Sequence, residues 1–317
     1  MNISCSFNER LSSASSIVLS LWLSLTGLAA VIGNAAVLWL FYKNESLRTI
    51  SNRFLASLCV ADFLAGLVVD PVYIAIRVFV QPRKDSILLK VIHMVWIYST
   101  AATVFNLCCV SIDRFIAIRF PFRYQDIITK KRYYAVIIMV WLSSLFLPLS
   151  RVLINNNPKT VEEMWFSLSF IFFEFPITVV TLCYFWIFKT VRKQTRKITV
   201  ERHQTDCADT LPRARQNQKA IKTIGFVLGV FIFSWMPSLV TTVVSYVAAD
   251  ECLRNKLNFV VWPWIAAIGL TSSAINPWIY VFRNGDFRET WRRHFHWFSF
   301  CTRICTRTGS ELENAVN

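Results

Sequence analysis

The stretch SIVLSLWLSLTGLAAVIGNAAVLWLF, residues 16–41, contains no charged residue. The hydrocarbon core of a bilayer is about 30 Å thick, so a helix that crosses it needs about 20 mostly apolar residues. A helix or strand at the surface of a soluble domain would instead alternate apolar and polar residues at its own period. The stretch is therefore predicted to be a membrane-spanning helix.

Similar apolar blocks follow along the rest of the chain. With the first, the predicted spans are residues 16–41, 54–78, 88–112, 134–152, 166–188, 221–248 and 259–282. Hydrophobic residues make up 55% of the chain and charged residues 17%, whereas soluble domains contain about 25% charged residues. We see no internal repeat and no soluble second domain. The predicted fold class is an all-α membrane protein, a seven-transmembrane helix bundle.

The distribution of basic residues predicts the orientation of the bundle. Lys and Arg outnumber Asp and Glu by 34 to 19, and excess Lys and Arg collect on the cytoplasmic side of membrane proteins. Most of the Lys and Arg residues fall after the first, third, fifth and seventh predicted spans, which places the N-terminus outside. The predicted parts are an extracellular N-terminus (1–15), the seven-transmembrane domain (16–282) and a cytoplasmic tail (301–317). The charge is thus a topology signal and not a nucleic-acid-binding surface.

Two polar segments on the predicted cytoplasmic side have distinct compositions. Residues 189–220 are basic and low in apolar residues, which predicts a mobile loop. Residues 283–300 are predicted to form a short amphipathic eighth helix on the membrane lipids, because apolar residues recur at helical spacing between arginines. The apolar residues are Phe287, Trp291, Phe295 and Phe298.

Three positions are candidates for covalent modification. Cys301 and Cys305 directly follow the predicted amphipathic helix, where palmitoylation is expected, although ordinary free thiols are an open alternative. Asn2 begins an Asn-Ile-Ser glycosylation acceptor on the predicted outer side. We predict no metal site, since the chain contains no Cys-x-x-Cys pair.

Polar and proline residues inside the spans are few, and such residues suggest function by default. They are Asn34, Asp62, Asp113-Arg114, Trp141, Pro176 with Tyr184, Trp235 with Pro237, and Asn276-Pro277 with Tyr280. Each is a weak signal alone, but together, in this order and in these helices, they resemble the rhodopsin-like (class A) G-protein-coupled receptors. The resemblance covers residues 16–300. The subfamily is unclear, with some similarity to the melanocortin and adenosine-like group.

The resemblance implies roles for two sets of residues. The G-protein-coupling switch would comprise Asp113, Arg114, Phe122, Tyr184 and Tyr280. The core that rearranges on activation would comprise Pro176, Val104, Phe231, Trp235, Pro237, Asn276 and Pro277. These residue types suit a switch, because a guanidinium keeps its charge while it changes partners and a proline weakens a helix where it must bend.

A third set implied by the resemblance is a pocket for an allosteric sodium ion. It would comprise Asp62, Thr103, Ser272, Ser273 and Asn276. A carboxylate inside a bilayer must find a cation, a proton or hydroxyl partners. The alternative is a protonated Asp62 that is satisfied by Asn34 and Asn276.

The expected ligand pocket departs from two known classes of the family. Trp96 stands where amine receptors have an aspartate, and Leu270 stands where opsins have a lysine. The remaining pocket is aromatic, which suits an apolar or planar ligand or a cation. Its residues would be Tyr73, Trp96, Ser99, Thr100, Trp235, Trp262 and Asp70. Alternatively, Trp262 and its neighbour Trp264 belong to the core or to an interface belt.

Two further departures concern covalent and ionic links. Leu89 replaces the cysteine of the common family disulfide. The available pair, Cys5 and Cys252, is similar to the link between the N-terminus and the third outer loop of melanocortin receptors, which implies that these two residues pair. Asn217 replaces an acid that often locks Arg114, so raised basal activity is expected.

The expected function is that of a plasma-membrane receptor and not of an enzyme. It would bind an extracellular ligand and activate heterotrimeric G proteins, with arrestin and receptor kinases as further partners. One alternative is a scavenger or scaffold receptor of the same fold that does not signal. A transporter is disfavoured, because inverted repeats and broken helices are typical of that class and we see neither in the sequence.

Overall fold

The computed structural model describes residues 11–75, 87–153, 167, 170–171, 175–202, 210–283 and 285–294. Within these ranges the secondary structure is helical and contains no strand. The helices longer than 12 residues are α1 (Ser13–Lys43), α2 (Ile50–Leu64), α4 (Ile87–Arg119), α6 (Lys130–Leu153), α7 (Phe175–Arg202), α8 (Thr210–Val247) and α10 (Trp262–Arg283). The shorter helices are α3 (Asp70–Ala75), α5 (Tyr124–Ile127), α9 (Glu251–Lys256) and α11 (Gly285–His294).

Side-chain caps fix where several helices begin. Ser12 accepts a hydrogen bond from the Ser15 N–H at 3.1 Å ahead of α1. Thr49 does the same for the Asn52 N–H at 3.3 Å ahead of α2. Such caps satisfy backbone donors that have no partner within the helix. The two helices therefore start at residues that the sequence itself marks as helix starts.

The described helices match the predicted spans in position. Among the described residues, five stretches are long and apolar enough to cross a membrane: Ser13–Lys43, Ile50–Ala75, Met94–Arg119, Lys130–Ser150 and Glu251–Ile279. Two shorter apolar stretches, Phe175–Thr190 and Ile232–Val247, correspond to the predicted fifth and sixth spans. The outward face of α1 is also apolar, since Leu21, Leu25, Leu28 and Ile32 are each more than half exposed. A surface of that kind suits contact with lipid rather than water.

Helix α4 lies at the centre of the bundle and packs against α2, α6 and α7. Helix α10 packs against α1 and α8. The main core cluster joins these helices through buried residues such as Val37, Leu58, Val104, Trp235 and Ile279. We call the end that contains Arg114 the basic end, and the end that contains Asp250 the opposite end.

The long polar segment 189–220 differs from its prediction as a mobile loop. Helix α7 continues to Arg202 and α8 already begins at Thr210, so much of the segment is helical. The reason is that helix propensity extends a helix beyond the membrane, where apolar periodicity no longer marks it. Residues 203–209 lie outside the described part of the chain.

Two of the wider, π-helical turns in the described part of the chain adjoin predicted pocket residues. The first, Ala65–Val69, lies between α2 and α3 and directly precedes Asp70. The second, Leu257–Val261, lies between α9 and α10 and directly precedes Trp262. Turns of this kind are rare and occur often at functional sites.

Candidate functional site

Asp62 lies near the middle of the bundle and accepts hydrogen bonds from two other helices. It is fully buried, and its Oδ1 accepts from Ser273 Oγ at 2.8 Å and from Thr103 Oγ1 at 3.3 Å. Its Oδ2 accepts from Asn276 Nδ2 at 2.8 Å. The carboxylate therefore joins α2 to α4 and α10 through one set of polar contacts.

Ser272, the remaining member of the predicted sodium pocket, does not reach Asp62. Its hydroxyl donates to the Gly269 carbonyl of its own helix at 2.6 Å. A serine in a helix often donates to a carbonyl in the preceding turn, and sequence spacing alone does not reveal that choice. The structure thus brings Thr103, Ser273 and Asn276 to Asp62 and turns Ser272 away.

Asn34 supports this region from α1. Its Nδ2 donates to the Ser273 carbonyl at 3.1 Å and to the Ala30 carbonyl at 2.8 Å. It contacts the backbone of α10 and not the Asp62 carboxylate. Pro277 follows closely on the same helix and approaches Gly33, where an added Cβ atom would lie 2.7 Å from the proline Cγ. Helices α1 and α10 can approach only because position 33 has no side chain.

Asp113 at the basic end is surrounded by donors from three elements. Tyr124 donates its hydroxyl to Oδ1 at 2.6 Å, and Ser51 donates its hydroxyl to Oδ2. Arg114 Nε lies 3.8 Å from Oδ2. Burial of Tyr124, together with its hydrogen bond to Asp113, raises the pKa of the phenol well above its usual value. The phenol therefore stays protonated and keeps its role as donor at physiological pH.

Sequence reasoning missed Ser51 and Tyr124. Tyr124 belongs to the same short loop segment as Phe122, which the resemblance singled out, but the pattern gave it no partner. Phe122 itself is 95% exposed, so it projects from the basic end and is free to contact another molecule. The Arg114 side chain is 23% exposed at that end. Asp113, by contrast, is buried beneath its donors.

The predicted activation core is largely buried where it is described. Val104 is buried in the main core cluster with Trp235, and Tyr184 packs with Val180 and Ile187 between α4 and α8. The Pro176 carbonyl accepts a hydrogen bond from the Cys108 thiol at 3.3 Å. Pro237 and Pro277 lie inside α8 and α10. The side chains of Phe231 and Tyr280 lie outside the described part of the structure.

Aromatic residues of the predicted ligand pocket meet near the opposite end. The rings of Trp96 and Trp262 lie 5.9 Å apart, edge to face. Tyr73, Trp96 and Trp264 pack against one small cluster that includes Leu19, Leu23 and Leu270. Trp235 lies deeper, where an added Cβ at Gly269 would contact its ring at 3.5 Å. Ser99 and Thr100 are buried on α4.

Asp70 was predicted for the ligand pocket on α3, and the structure packs its carboxylate against α1. It is 3% exposed, and a Cβ atom added at Gly27 would lie 2.7 Å from its Oδ2. The wider turn before Asp70 changes the helical register by one residue, which the apolar period of the sequence does not show. Asp70 therefore lies beside α1, and the residue before it, Val69, belongs to the cluster against which Tyr73, Trp96 and Trp264 pack.

Other predicted features are described only in part. Cys252 is disulfide-bonded, while Cys5 lies outside the described residues, so the pairing of these two remains a prediction. Asn2, Cys301 and Cys305 also lie outside the described residues. The amphipathic helix is described as Gly285–His294, and its Phe287 and Trp291 pack in the main core cluster of the bundle. The other two apolar residues of its pattern, Phe295 and Phe298, lie outside the described residues.

Known proteins resemble this chain over most of its length. Residues 33–280 match the model of the family described as "7 transmembrane receptor (rhodopsin family)". The chain is 27% identical to the octopamine receptor beta-1R of Drosophila melanogaster, over 87% of this chain and 62% of that receptor. It therefore spans less than two thirds of the fly receptor.

The chain aligns with a larger share of two further relatives. The chain is 25% identical to the histamine H2 receptor of Cavia porcellus, over 95% of this chain and 84% of that receptor. It is 28% identical to the adenosine receptor A2a of Canis lupus familiaris, over 83% of this chain and 68% of that receptor. The similarity thus extends through all the helices that carry the polar residues described above.

Proposed function

The chain belongs to the rhodopsin family of seven-transmembrane receptors, and we propose that it binds an extracellular small molecule and activates a heterotrimeric G protein. Membership confirms the predicted seven-transmembrane helix bundle and the prediction that the chain is not an enzyme. It also identifies the chain as a multi-pass plasma-membrane protein. The N-terminus would lie outside, which makes the basic end cytoplasmic.

The observation that carries the proposal is the arrangement of Asp113 and Arg114. Asp113 is held by Tyr124 and Ser51, while Arg114 lies only at ion-pair distance and stays partly exposed. An arginine can exchange one partner for another without a change of charge. The basic end therefore contains a cation that is available to a second protein once the helices around it separate.

The ligand would enter from the opposite end, where the aromatic rings of Trp96 and Trp262 meet. Relatives named for octopamine, histamine and adenosine support a small ligand with a planar ring. Arrestin and receptor kinases would act on the same cytoplasmic face. The exposed apolar groups there, Phe122 above all, suit contact with a partner protein.

A sodium ion is proposed as an allosteric ligand of Asp62. The carboxylate is buried and gathers the hydroxyl oxygens of Thr103 and Ser273, and such oxygens are the ligands that hard cations prefer. The ion would supply a positive charge that favours the arrangement in which α2, α4 and α10 stay together. Asp62 and its hydroxyl partners would hold it.

Guanine-nucleotide sensitivity of ligand affinity tests the proposed function. Binding at two sites of one protein is reciprocal, so a G protein that stabilises the ligand-bound form must also raise ligand affinity. We expect a nonhydrolysable GTP analogue to lower agonist affinity in membranes that contain G protein. A scavenger receptor would bind its ligand with the same affinity in both conditions, and a transporter would show substrate flux.

A further inference from the structure

Asp70 has a buried carboxyl group near the opposite end of the bundle. Its side chain is 3% exposed, and Oδ1 has no hydrogen-bond partner within the described residues. The ion pairs found within those residues also leave Asp70 out. A carboxylate in a membrane span is costly unless something compensates its charge. Such a group therefore needs a cation or a proton beside it.

Two departures from regular helix packing place Asp70 where it lies. The wide turn Ala65–Val69 directly precedes it and changes the side of the helix on which it falls. Gly27 on α1 leaves the space for its carboxylate, because a Cβ atom there would come within 2.7 Å of Oδ2. The position of this acid is thus built into both helices.

The surroundings of Asp70 indicate what kind of cation would fit. Its neighbour Val69 packs in a buried cluster with Leu19, Leu23, Ala267 and Leu270. The aromatic side chains of Tyr73, Trp96 and Trp264 pack against that cluster. The described residues contain no group of three or more His, Cys, Asp and Glu that could hold a metal ion.

One carboxylate with apolar and aromatic walls suits an organic ammonium better than a metal ion. A hard metal cation needs several oxygen ligands, and no cluster of acidic side chains among the described residues supplies them around Asp70. An ammonium needs one carboxylate for its charge, and its organic part can lie on aromatic rings. Asp70 supplies the carboxylate, and Tyr73, Trp96 and Trp264 supply aromatic rings on α3, α4 and α10.

We propose that Asp70 binds the ammonium group of an amine ligand, and that Tyr73, Trp96 and Trp264 contact the ligand's organic part. The inference rests on the proposed receptor function and specifies its ligand class. Amine receptors of the family use an aspartate on the helix that corresponds to α4, and Trp96 replaces it here. In this chain the acid lies on α3 instead, and the amine site lies between α1, α3, α4 and α10.

Direct binding to the purified full-length chain in nanodiscs tests the proposal. The probes are phenethylamine, tyramine and tryptamine, each paired with its N-acetyl derivative, which lacks the positive charge. We expect at least one amine to bind and its N-acetyl derivative not to bind. Asp70→Asn should weaken that binding by about 10- to 100-fold, the range for one charged hydrogen bond.

Two more variants make the result specific to the site. Asp250→Asn removes an exposed acid at the same end and should leave amine affinity unchanged, since asparagine also caps a helix. Gly27→Ala keeps the acid but displaces it, so it should weaken amine binding as well. It also tests the proposal if Asp70→Asn fails to fold.

The proposal is overturned if none of the three amines binds, or if the amine that binds keeps its affinity in both Asp70→Asn and Gly27→Ala. Nucleotide exchange by G protein is measured on the same nanodiscs. Exchange that depends on Arg114 without any amine binding would leave the receptor function in place and remove only the ammonium assignment. Absence of both amine binding and nucleotide exchange would count against the receptor function itself.

Discussion

Tyr124 donates its hydroxyl to Oδ1 of Asp113 across 2.6 Å, and this contact ties a loop residue to the charge beside Arg114. Ser51 occupies the other carboxylate oxygen. The buried acid is thus held by two neutral donors from outside its own helix, while Arg114 Nε approaches Oδ2 only to 3.8 Å. This arrangement depends on those donors as well as on the ion pair.

Tyr124→Phe should raise basal nucleotide exchange. The change removes one hydrogen bond to a charged group, worth about 1.5–3 kcal/mol, and so weakens the hold on Asp113. The increase should be at most about 100-fold, measured with purified protein and G protein. Tyr134→Phe is the control, because that hydroxyl accepts from Arg53 and does not contact Asp113. Equal basal rates in Tyr124→Phe and wild type would contradict the role of this contact.

Sodium ions should lower agonist affinity, by about tenfold, and Asp62→Asn should remove the effect. The reason is that the ion would favour the form in which α10 stays close to α2. Agonist competition is measured in sodium chloride and in N-methylglucamine chloride at equal ionic strength. Ser273→Ala should reduce the sodium effect, whereas Ser272→Ala should keep it, since that hydroxyl donates within its own helix. The same sodium effect in Asp62→Asn and wild type would rule the site out.

Gly66→Ala should destabilise the protein. An added Cβ would lie 2.7 Å from the Gly27 carbonyl oxygen and 2.9 Å from the Ala30 Cβ, and neither atom can move without its helix. Overpacking of this kind costs about 1–3 kcal/mol. Gly229→Ala is the matched control, because no described atom lies within 4 Å of its added Cβ and alanine favours the helix. Thermal melting in detergent compares the two, and a Gly66→Ala melting temperature at or above that of wild type would contradict the packing.

Cys252 should be found cross-linked to Cys5. Cys252 is disulfide-bonded, and the four described cysteines in the spans (Cys59, Cys108, Cys109 and Cys183) are free. Non-reducing peptide mapping of protein from the cell surface identifies the partner. A peptide that joins Cys252 to any other cysteine would refute the comparison with melanocortin receptors.

Much of the fold was predictable because membrane spans are long apolar blocks with a few polar residues. Asp62 and Asn276 are far apart in sequence, yet the resemblance placed them together, and the structure gives a 2.8 Å hydrogen bond between them. The ends of α7 and α8 were not predictable from apolar periodicity, because those helices extend into polar sequence. The bilayer thickness sets the length of helix inside the membrane, and local helix propensity sets how far the helix continues beyond it.

The candidate site was less predictable where backbone geometry determines the direction of a side chain or its hydrogen-bond partner. The turns before Asp70 and Trp262 leave no mark in the apolar pattern, yet they determine which way those side chains point. A hydroxyl such as that of Ser272 can donate to its own backbone or to a neighbour, and only the three-dimensional structure shows which. Tyr124 was missed for a similar reason, since its partner lies across the loop.

The most direct measurement of the central claim is nucleotide exchange by purified heterotrimeric G proteins with the chain in nanodiscs. The account predicts that the wild-type chain accelerates exchange on at least one heterotrimer. It also predicts that Arg114→Ala, present at the same level and with the same melting temperature, does not. Acceleration by Arg114→Ala equal to that by wild type, or none by wild type on any heterotrimer, would contradict it.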